Sequence, residues 1–460
     1  AFTGLVTAFM MTLLVPLVPS LPEILDVSAE DSQWAVTVTL LVAAVATPIF
    51  GRLGDLYGKR RMVLVLLALV VLGSVIAGFA TTLVPLVVGR GLQGAGIGVI
   101  PLGISILRDV LHRDRVGAAV ALVSATLGIG GAVGLPLAAV ISQFLDWHVL
   151  FAVSGVLAVA GLVLVWRFIP VSTLRAEGSF DVVGAVGLAV ALTALLLGIS
   201  KGNGWGWVSL PSLASLVGGV VVLAAWTWYE LRSASPLIDI RVATRRTVLL
   251  TNAASVTVGF AFFASTVVLP QLLEVSTGTG VGLGQSMFVA SLCLIPSGLV
   301  MWAVSPLAAR LIRARGARLS FLFGLAVIAV GYLLAVFLMT EIWHTVLIAT
   351  VVGLGVGFAY SAMPTLIMGA VPPTETAASN GLNSVMRSLG STVASAVFGV
   401  MLATQTVTVG DVTTPSAWGF QLSFIVSLAA AVVGVVLVAL IPRRHSAYGR
   451  ASLPDEADVP

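Results

Sequence analysis

About fourteen segments of roughly 20 mostly apolar residues follow one another along this chain, and each is long enough for a helix to cross a bilayer. Of the 460 residues, 58% are hydrophobic and only 9% are charged, whereas ordinary soluble domains contain about 25% charged residues. The segments are apolar on every side, unlike the alternating strands of a membrane barrel. Helices also satisfy their own backbone hydrogen bonds, which lipid cannot do. The sequence therefore excludes a water-soluble protein and predicts an all-α polytopic membrane protein with about fourteen transmembrane helices.

The predicted spans are bounded by charged residues or by Gly, Pro and Ser. They are placed at Phe2–Leu21, Ser32–Phe50, Met62–Thr81, Leu83–Leu107, Val116–Phe144, Val149–Ile169, Val182–Ser200, Leu210–Leu231, Val248–Leu273, Gln285–Leu311, Leu319–Met339, Trp343–Ala370, Gly381–Gln405 and Trp418–Ile441.

The basic residues predict the orientation of the chain in the membrane. All but three of the 23 lysines and arginines lie in loops on one side of the predicted arrangement. Lys201 lies on the other side, and Arg90 and Arg387 lie within spans. Because loops rich in Lys and Arg stay in the cytoplasm, both termini are predicted to be cytoplasmic. The basic residues behind the net charge of +4 lie mostly in these loops beside the membrane. The positive charge is thus explained by orientation, and no nucleic-acid partner is expected.

Short repeats relate the two halves of the chain. Leu21–Asp26 (LPEILD) matches Leu269–Glu274 (LPQLLE), and Gly94–Gly98 (GAGIG) matches Gly353–Gly357 (GLGVG). Such repeats predict two pseudo-symmetric six-helix lobes, with two inserted helices between them. The expected units are a first lobe at residues 1–175, the inserted pair at 176–240, a second lobe at 241–442 and a polar cytoplasmic tail at 443–460.

A motif follows the second span and reads GRLGDLYGKRR from Gly51 to Arg61. A loop that only obeyed the charge rule would explain its basic residues, but not its glycines and its aspartate at this spacing. Glycine permits tight turns and close approach of helices, and aspartate is favoured near a helix N-terminus. The motif residues that we single out are Gly51, Gly54, Asp55, Gly58, Arg60 and Arg61.

This motif resembles the signature of the major facilitator superfamily between its second and third spans. The stretch Arg90–Gly96 (RGLQGAG) is similar to the family's second motif, and the inserted pair resembles the fourteen-span drug:proton antiporter branch. The resemblance implies a monomer that exports hydrophobic or amphiphilic compounds by alternating access, in exchange for protons, across the inner membrane of a bacterium. It also implies that Asp55 with Arg60 and Arg61 latches the lobes on the cytoplasmic side. We also expect Arg108 to serve in conformational change.

The fifth span contains Gly128–Pro136 (GIGGAVGLP), which is similar to the glycine-rich motif of drug exporters. Small residues allow close helix contact, and a proline allows a helix to bend. We therefore expect Gly130, Gly134 and Pro136 to serve in conformational change. Ordinary glycine-rich packing in a membrane is the alternative.

Acidic residues are missing from the middle of every predicted span, including the first, where this antiporter branch generally has an aspartate. We hypothesise that Glu23, Asp26 or Glu274 pairs with Arg90 and exchanges protons; a static ion pair or solvated acids at the loop edge are the alternative. A passage with two arginines and no central carboxylate attracts cations poorly. The sequence therefore predicts a neutral or anionic amphiphile as substrate.

Polar, aromatic and Met side chains along the spans are candidates for substrate contact, since Met and aromatic groups suit adaptable apolar recognition. Arg387 has two interpretations: it binds polar substrate groups, or it binds carbonyls at the lobe interface. The candidates are Met11, Gln33, Trp34, Asn252, Phe260, Phe263, Tyr360, Met363, Asn383, Met386 and Arg387.

Enzymatic, metal-binding and cofactor-binding functions are not predicted. Gly198–Gly202 (GISKG) fits a serine-nucleophile pattern but ends a membrane helix. The four histidines have no ligand spacing, and a nucleotide-binding P-loop is absent. Three alternatives remain open: an exporter of a cell-envelope lipid or secondary metabolite, an uptake symporter, and a non-transporting receptor or scaffold.

Overall fold

The computed structural model describes residues 2–14, 17–18, 20–171, 174–409 and 412–442. Within these residues, 13 helical segments are long and apolar enough to cross a membrane. The helices are α1 (Phe2–Thr12), α2 (Leu21–Leu25), α3 (Ala29–Ser32), α4 (Trp34–Tyr57), α5 (Lys59–Gly78), α6 (Leu83–Ala95), α7 (Val99–Val110), α8 (Arg113–Phe144), α9 (His148–Phe168), α10 (Val182–Trp205), α11 (Leu210–Glu230), α12 (Ile240–Ala243), α13 (Arg246–Glu274), α14 (Met287–Ala303), α15 (Ser305–Arg315), α16 (Ala317–Phe337), α17 (Ile342–Met368), α18 (Thr376–Thr404) and α19 (Ala417–Ala439). One hairpin is described, in which β1 (Thr406–Val409) pairs antiparallel with β2 (Val412–Pro415).

The first predicted span, Phe2–Leu21, is not one long helix. Helix α1 is a shorter apolar helix that ends at Thr12, and α2 begins at Leu21. A proline at position 16 cannot donate a backbone hydrogen bond to the carbonyl of residue 12, so a regular helix cannot continue there. Pro16 and Pro19 themselves lie outside the described residues, as does the predicted tail at 443–460.

Two further predicted spans are each built from two helices. A 3₁₀ turn at Gly96–Gly98 separates α6 from α7, and α14 gives way to α15 at Ser305, just before Pro306. At the first of these breaks, a Cβ on Gly96 would lie 2.4 Å from the side chain of Val70. The glycines there let this span pass close to α5.

Each lobe has its own buried core. In the first lobe, Leu66 and Leu67 of α5 pack with Leu102 of α7, and Phe151 of α9 packs with Leu86 of α6. In the second lobe a larger cluster joins α13, α14, α16, α17, α18 and α19. Glycine pairs bring backbones together in both lobes: a Cβ on Gly73 would lie 2.5 Å from the Gly89 carbonyl oxygen, and one on Gly324 would lie 2.6 Å from that of Gly355.

The repeat extends to single hydrogen bonds. At the start of α5, Arg60 donates to the carbonyl of Trp166 near the end of α9. At the start of α16, Arg318 donates to the carbonyl of Ala439, the last residue of α19, at 2.6 Å. Arginine near a helix C-terminus satisfies carbonyls that lack helical partners. Both arginines follow a glycine with positive φ, Gly58 (+110°) and Gly316 (+87°), so the two lobes repeat the same local geometry.

The inserted pair lies along the junction of the two lobes. Helix α10 packs through Leu188 and Leu192 against Val45 of α4 and Val385 of α18, so it contacts both lobes. Helix α11 packs on α10, where the Trp226 indole donates to the Gly184 carbonyl at 2.7 Å. One seam between the lobes is therefore covered from the side by α10.

Candidate functional site

The arginine-rich end of the bundle is defined here by residues 52–61, 232–246 and 310–318. The motif of Gly51–Arg61 lies at this end. The predicted span ends at Phe50 and leaves the motif in a loop, but residues 51–57 are helical. Helix α4 continues to Tyr57, because Gly51, Gly54 and Asp55 are buried and give the helix a second packed face. This extension carries the motif's aspartate to the second lobe.

The carboxylate of Asp55 connects the two lobes. It is 1% exposed and accepts hydrogen bonds from the backbone N–H of Ala378 at 3.0 Å and of Ala377 at 3.4 Å. Those donors belong to the first turn of α18, where backbone N–H groups lack helical acceptors and the helix dipole is positive. The carboxylate therefore joins α4 to the N-terminus of α18.

Two glycines bring the backbones of α4 and α18 together beside Asp55. A Cβ on Gly51 would lie 2.8 Å from the Ala377 carbonyl oxygen. A Cβ on Gly381 would lie 3.0 Å from the Thr47 carbonyl oxygen. Backbone cannot move aside as a flexible side chain can, so each position needs a residue without a side chain.

Charged residues extend this junction to α7. Lys59 lies 2.7 Å from Asp109 and 3.8 Å from Asp55, and Arg108 donates to the Thr376 hydroxyl at 2.6 Å. We call Asp55, Lys59, Arg108, Asp109 and the N-terminal turn of α18 the interlobe junction. Thr376 was not predicted, since the predicted span begins five residues later, at Gly381.

Arg60 and Arg61 do not take the predicted place beside Asp55. Arg60 bonds to Trp166 within its own lobe, and Arg61 is exposed. Neither forms a hydrogen bond or ion pair with the described part of the second lobe. Consecutive residues of a helix point about 100° apart, so only Lys59 of this basic run faces Asp55.

The linkers before and after the inserted pair also contact the two lobes beside the interlobe junction, which no sequence feature predicts. Ala176, in the first linker, donates its backbone N–H to the carbonyl of Asp55 at 2.7 Å. Glu230, at the end of α11 and 2% exposed, accepts from the backbone N–H of Leu237 at 2.9 Å. Leu237 and Ile238 in turn pack in the cluster that contains Val385 of α18.

The glycines of α8 face two different neighbours. A Cβ on Gly130 would lie 2.3 Å from that of Ala8, and one on Gly134 would lie 2.3 Å from the Thr12 hydroxyl, both on α1. Gly128 faces Met301 of α14, across the lobe boundary. Pro136 is buried within α8, which is continuous from Arg113 to Phe144.

Arg90 is 1% exposed and bonds to neutral groups. Its guanidinium donates to the Met10 carbonyl at 3.1 Å, to the Gln93 side-chain oxygen at 2.9 Å and to the Ala35 carbonyl at 3.4 Å. The predicted pairing with Glu23, Asp26 or Glu274 is wrong for the described residues: all three acids are exposed. Helix α1 ends just after Met10, and Arg90 donates a hydrogen bond to the Met10 carbonyl oxygen. Arg90 therefore holds the end of α1 against α4 and α6.

A small cavity lies between the lobes on the membrane side of the interlobe junction. The first lobe contributes a mostly apolar wall and the second a polar one; the lining is Ile100, Pro101, Ile104, Ser124, Leu127, Tyr360, Pro364, Asn380, Asn383, Ser384 and Arg387. The centre of a water-sized sphere can move within a volume of about 10 Å³ in this cavity, so the cavity has room for about one water molecule. Pockets for drug-sized ligands measure about 300–1,000 Å³, so the lobes are closed at this level.

Arg387 is the charged group of this cavity. Its guanidinium donates to the Asn383 side-chain oxygen at 2.9 Å and to the Ser384 hydroxyl at 3.0 Å. It also lies 4.9 Å from the centre of the Tyr360 ring, a distance at which a cation is attracted to an aromatic face. Asn383 is held by α13, since its NH₂ group donates to Asn252 at 2.9 Å and to Ser255 at 2.7 Å.

Tyr360, Asn383 and Arg387 are thus the predicted substrate residues that the structure brings to the cavity, with Asn252 behind them. Phe260 and Met363 lie in the core of the second lobe, and Phe263 packs against it. Trp34 and Met386 face the inserted pair, and Gln33 is exposed. Met11 is half-buried near the end of α1.

Asn380 and Ser384 also line the cavity but were not predicted. A pattern could have found them, because Asn380, Asn383, Ser384 and Arg387 follow the i, i+3, i+4, i+7 spacing of one helix face.

The chain belongs to the Major Facilitator Superfamily, whose sequence profile matches residues 1–395 and 255–457. Membership makes it a membrane transporter of small molecules and not an enzyme. This confirms the family suggested by the Gly51–Arg61 motif.

Relatives and solved structures agree with this assignment. The chain is 28% identical to the multidrug resistance protein Stp of Mycobacterium tuberculosis over 87% of this chain and 74% of Stp. It is 24% identical to the lincomycin resistance protein LmrB of Listeria monocytogenes over 94% of this chain and 93% of LmrB. The human organic anion transporter MFSD10 shares the fold with a TM-score of 0.67 at 16% identity, over 95% of this chain and 97% of that one.

Proposed function

We propose that this chain exports a hydrophobic or amphiphilic compound by alternating access, in exchange for protons. The observation that carries the proposal is the interlobe junction, where Asp55 of one lobe bonds to the first turn of α18 in the other. The junction closes one end of a cavity that both lobes line. Release of these few contacts would expose the cavity to that end. Relatives named for multidrug and lincomycin resistance support a drug-like cargo.

The arginine-rich end is proposed to face the cytoplasm of a bacterium, with the chain in the inner membrane. Excess Lys and Arg mark cytoplasmic loops, and the bacterial relatives support the location. In this orientation the structure has its cytoplasmic end closed. Both termini would then be cytoplasmic, and one chain would suffice for transport because its own two lobes line the cavity.

Opening toward the cytoplasm would break the bonds of Asp55 to α18 and of Arg108 to Thr376. The lobes also touch where Gly128 meets Met301 and where Gly298 meets the Gly128 carbonyl oxygen. At the contact of Gly298 with Gly128, neither residue has a side chain, so the backbones of α8 and α14 come close together. We propose that the lobes rock about this glycine contact while the interlobe junction opens and closes.

Proton exchange is proposed from the resemblance of Gly128–Pro136 to the motif of drug exporters. Glu23, Asp26 and Glu274 remain the candidate proton carriers, and they would act without Arg90. All three are exposed at the end opposite the arginine-rich one, where protons would enter from outside.

The test is proton movement in proteoliposomes that contain the purified chain and an imposed pH gradient. Compound-dependent proton flux that is lost in a triple Glu23→Gln, Asp26→Asn, Glu274→Gln variant supports the proposal. Transport without any proton movement would instead favour a facilitator or a lipid exporter.

A further inference from the structure

Among the residues that the structure describes, no acidic side chain pairs with Arg387. Its described partners, Asn383, Ser384 and Tyr360, are all neutral. Within the cavity lining, Arg387 is the charged residue among apolar and neutral polar ones. A lone positive charge at membrane depth is costly, and such residues normally face a water-filled or ligand-binding cavity.

The orientation of Asn383 keeps this charge available. Both hydrogens of its amide are donated to Asn252 and Ser255 on α13, so its oxygen must face Arg387. The backbone of Arg387 is fixed as well, because a Cβ on Gly259 would lie 2.1 Å from the Arg387 carbonyl oxygen. The guanidinium is therefore held at the cavity by rigid neighbours and not by an ion pair.

A second polar group in the same cavity lacks a partner. The side chain of Asn380 is 3% exposed, and its NH₂ group donates to the Thr376 carbonyl at 2.9 Å. Its oxygen is buried without a hydrogen-bond partner among the described residues. Asn380 lies two helical turns from Arg387, which is about 10 Å along α18. An unpaired buried acceptor of this kind is costly unless a donor reaches it.

We propose that Arg387 binds the anionic group of the transported amphiphile, a carboxylate, sulfonate or phosphate. A hydroxyl or N–H group of the same molecule, about 10 Å away, donates to Asn380. Its apolar part lies against Ile100, Pro101, Ile104 and Leu127 of the first lobe. This inference rests on the proposed function, since the cavity must widen, as the lobes separate, before it can hold such a molecule.

The experiment compares three probes that share one pyrenebutyl tail and end in a sulfonate, a trimethylammonium or a neutral polyol. Binding to the full chain in nanodiscs is followed by fluorescence anisotropy, and uptake by proteoliposomes is measured in parallel. We expect the sulfonate to bind at least about tenfold more tightly than the trimethylammonium compound, as charge-assisted bonds to arginine are strong. In Arg387→Gln this preference should disappear, while affinity for the polyol changes less than about threefold.

Asn383→Asp provides a second variant that keeps the arginine. Its carboxylate would sit beside the guanidinium and neutralise it, so the sulfonate preference should be lost there too. Arg310→Gln removes an exposed arginine outside the cavity and should keep the preference.

Two results would overturn the inference. Tighter binding of the trimethylammonium probe, or an unchanged sulfonate preference in Arg387→Gln and Asn383→Asp, would refute the anionic site while leaving export intact. Failure of the wild-type protein to bind and transport any probe would count against the proposed function and against this inference with it.

Discussion

Asp55 of α4 and Ala378 of α18 are joined by a 3.0 Å hydrogen bond from the Ala378 backbone N–H to the Asp55 carboxylate. The two residues belong to different lobes, so this bond forms only when the lobes meet at the arginine-rich end. A side chain that bonds to backbone at a helix N-terminus needs no particular partner residue on α18. The contact therefore depends on the geometry of the closed state.

Asp55→Asn should shift the protein toward the state that is open at the arginine-rich end. Hydrogen bonds to charged groups contribute about 1.5–3 kcal/mol, so we expect the open population to rise by about tenfold or more. The measurement is the rate at which a thiol reagent labels Ile104→Cys in a Cys293→Ala background. Ile104 lines the cavity and is 4% exposed in the closed state. Asp146→Asn, at an exposed acid, is the control, and equal labelling in both variants would contradict the prediction.

Gly51→Ala should block closure while leaving the protein folded. Its Cβ would meet the Ala377 carbonyl oxygen at 2.8 Å, and that backbone cannot yield within an intact α18. We expect transport to fall by about fivefold or more, since a clash of this kind costs about 1–3 kcal/mol. The matched control is Gly103→Ala on α7, where a Cβ meets nothing within 4 Å. If both alanines reduced transport equally, close approach of α4 and α18 would not be the cause.

Arg90→Gln should lower thermal stability more than it changes the pH dependence of transport. The substitution removes the donors to the Met10 and Ala35 carbonyls, and each unsatisfied buried acceptor costs about 1–3 kcal/mol. Thermal unfolding monitored by tryptophan fluorescence would show the loss. A variant of normal stability whose proton coupling was abolished would instead restore the acid-pairing hypothesis for Arg90.

Gly130→Ala and Gly131→Ala form a pair of adjacent substitutions on α8. A Cβ on Gly130 would collide with Ala8 and the Leu5 carbonyl, whereas one on Gly131 meets nothing within 4 Å. We expect Gly130→Ala to destabilise the contact of α1 with α8 by about 1–3 kcal/mol and Gly131→Ala to be neutral. Equal unfolding temperatures for the two variants would count against a packing role for this glycine.

Hydropathy predicted the helices well because a bilayer imposes one length and one polarity on every span. It failed at helix ends, where the cause is tertiary. Residues 51–57 and 376–380 are polar enough to resemble loops, yet they are helical because α4 and α18 bury them against each other. The hydropathy of one span does not show which other helix will cover its polar end.

The candidate site shows the same limit. Asp55 and Arg387 could be singled out from the sequence because a charged residue is unusual in or beside an apolar span. The structure places Asp55 at the interlobe junction and Arg387 at the cavity. The faces of single helices were harder to assign: Phe260 and Met363 point into the second lobe's core, and Arg90 bonds to carbonyls that no sequence pattern reveals. An apolar span gives few signs of which side faces a cavity, a neighbour or lipid.

The most direct test of the account is proton flux driven by a permanently charged anionic amphiphile. Proteoliposomes with an acidic lumen and an internal pH dye receive the pyrenebutyl sulfonate outside. The account predicts that the lumen becomes more alkaline only when both the protein and the sulfonate are present, as protons leave in exchange for the entering compound. Uptake of the sulfonate with no change in lumen pH would contradict proton exchange and identify the protein as a facilitator.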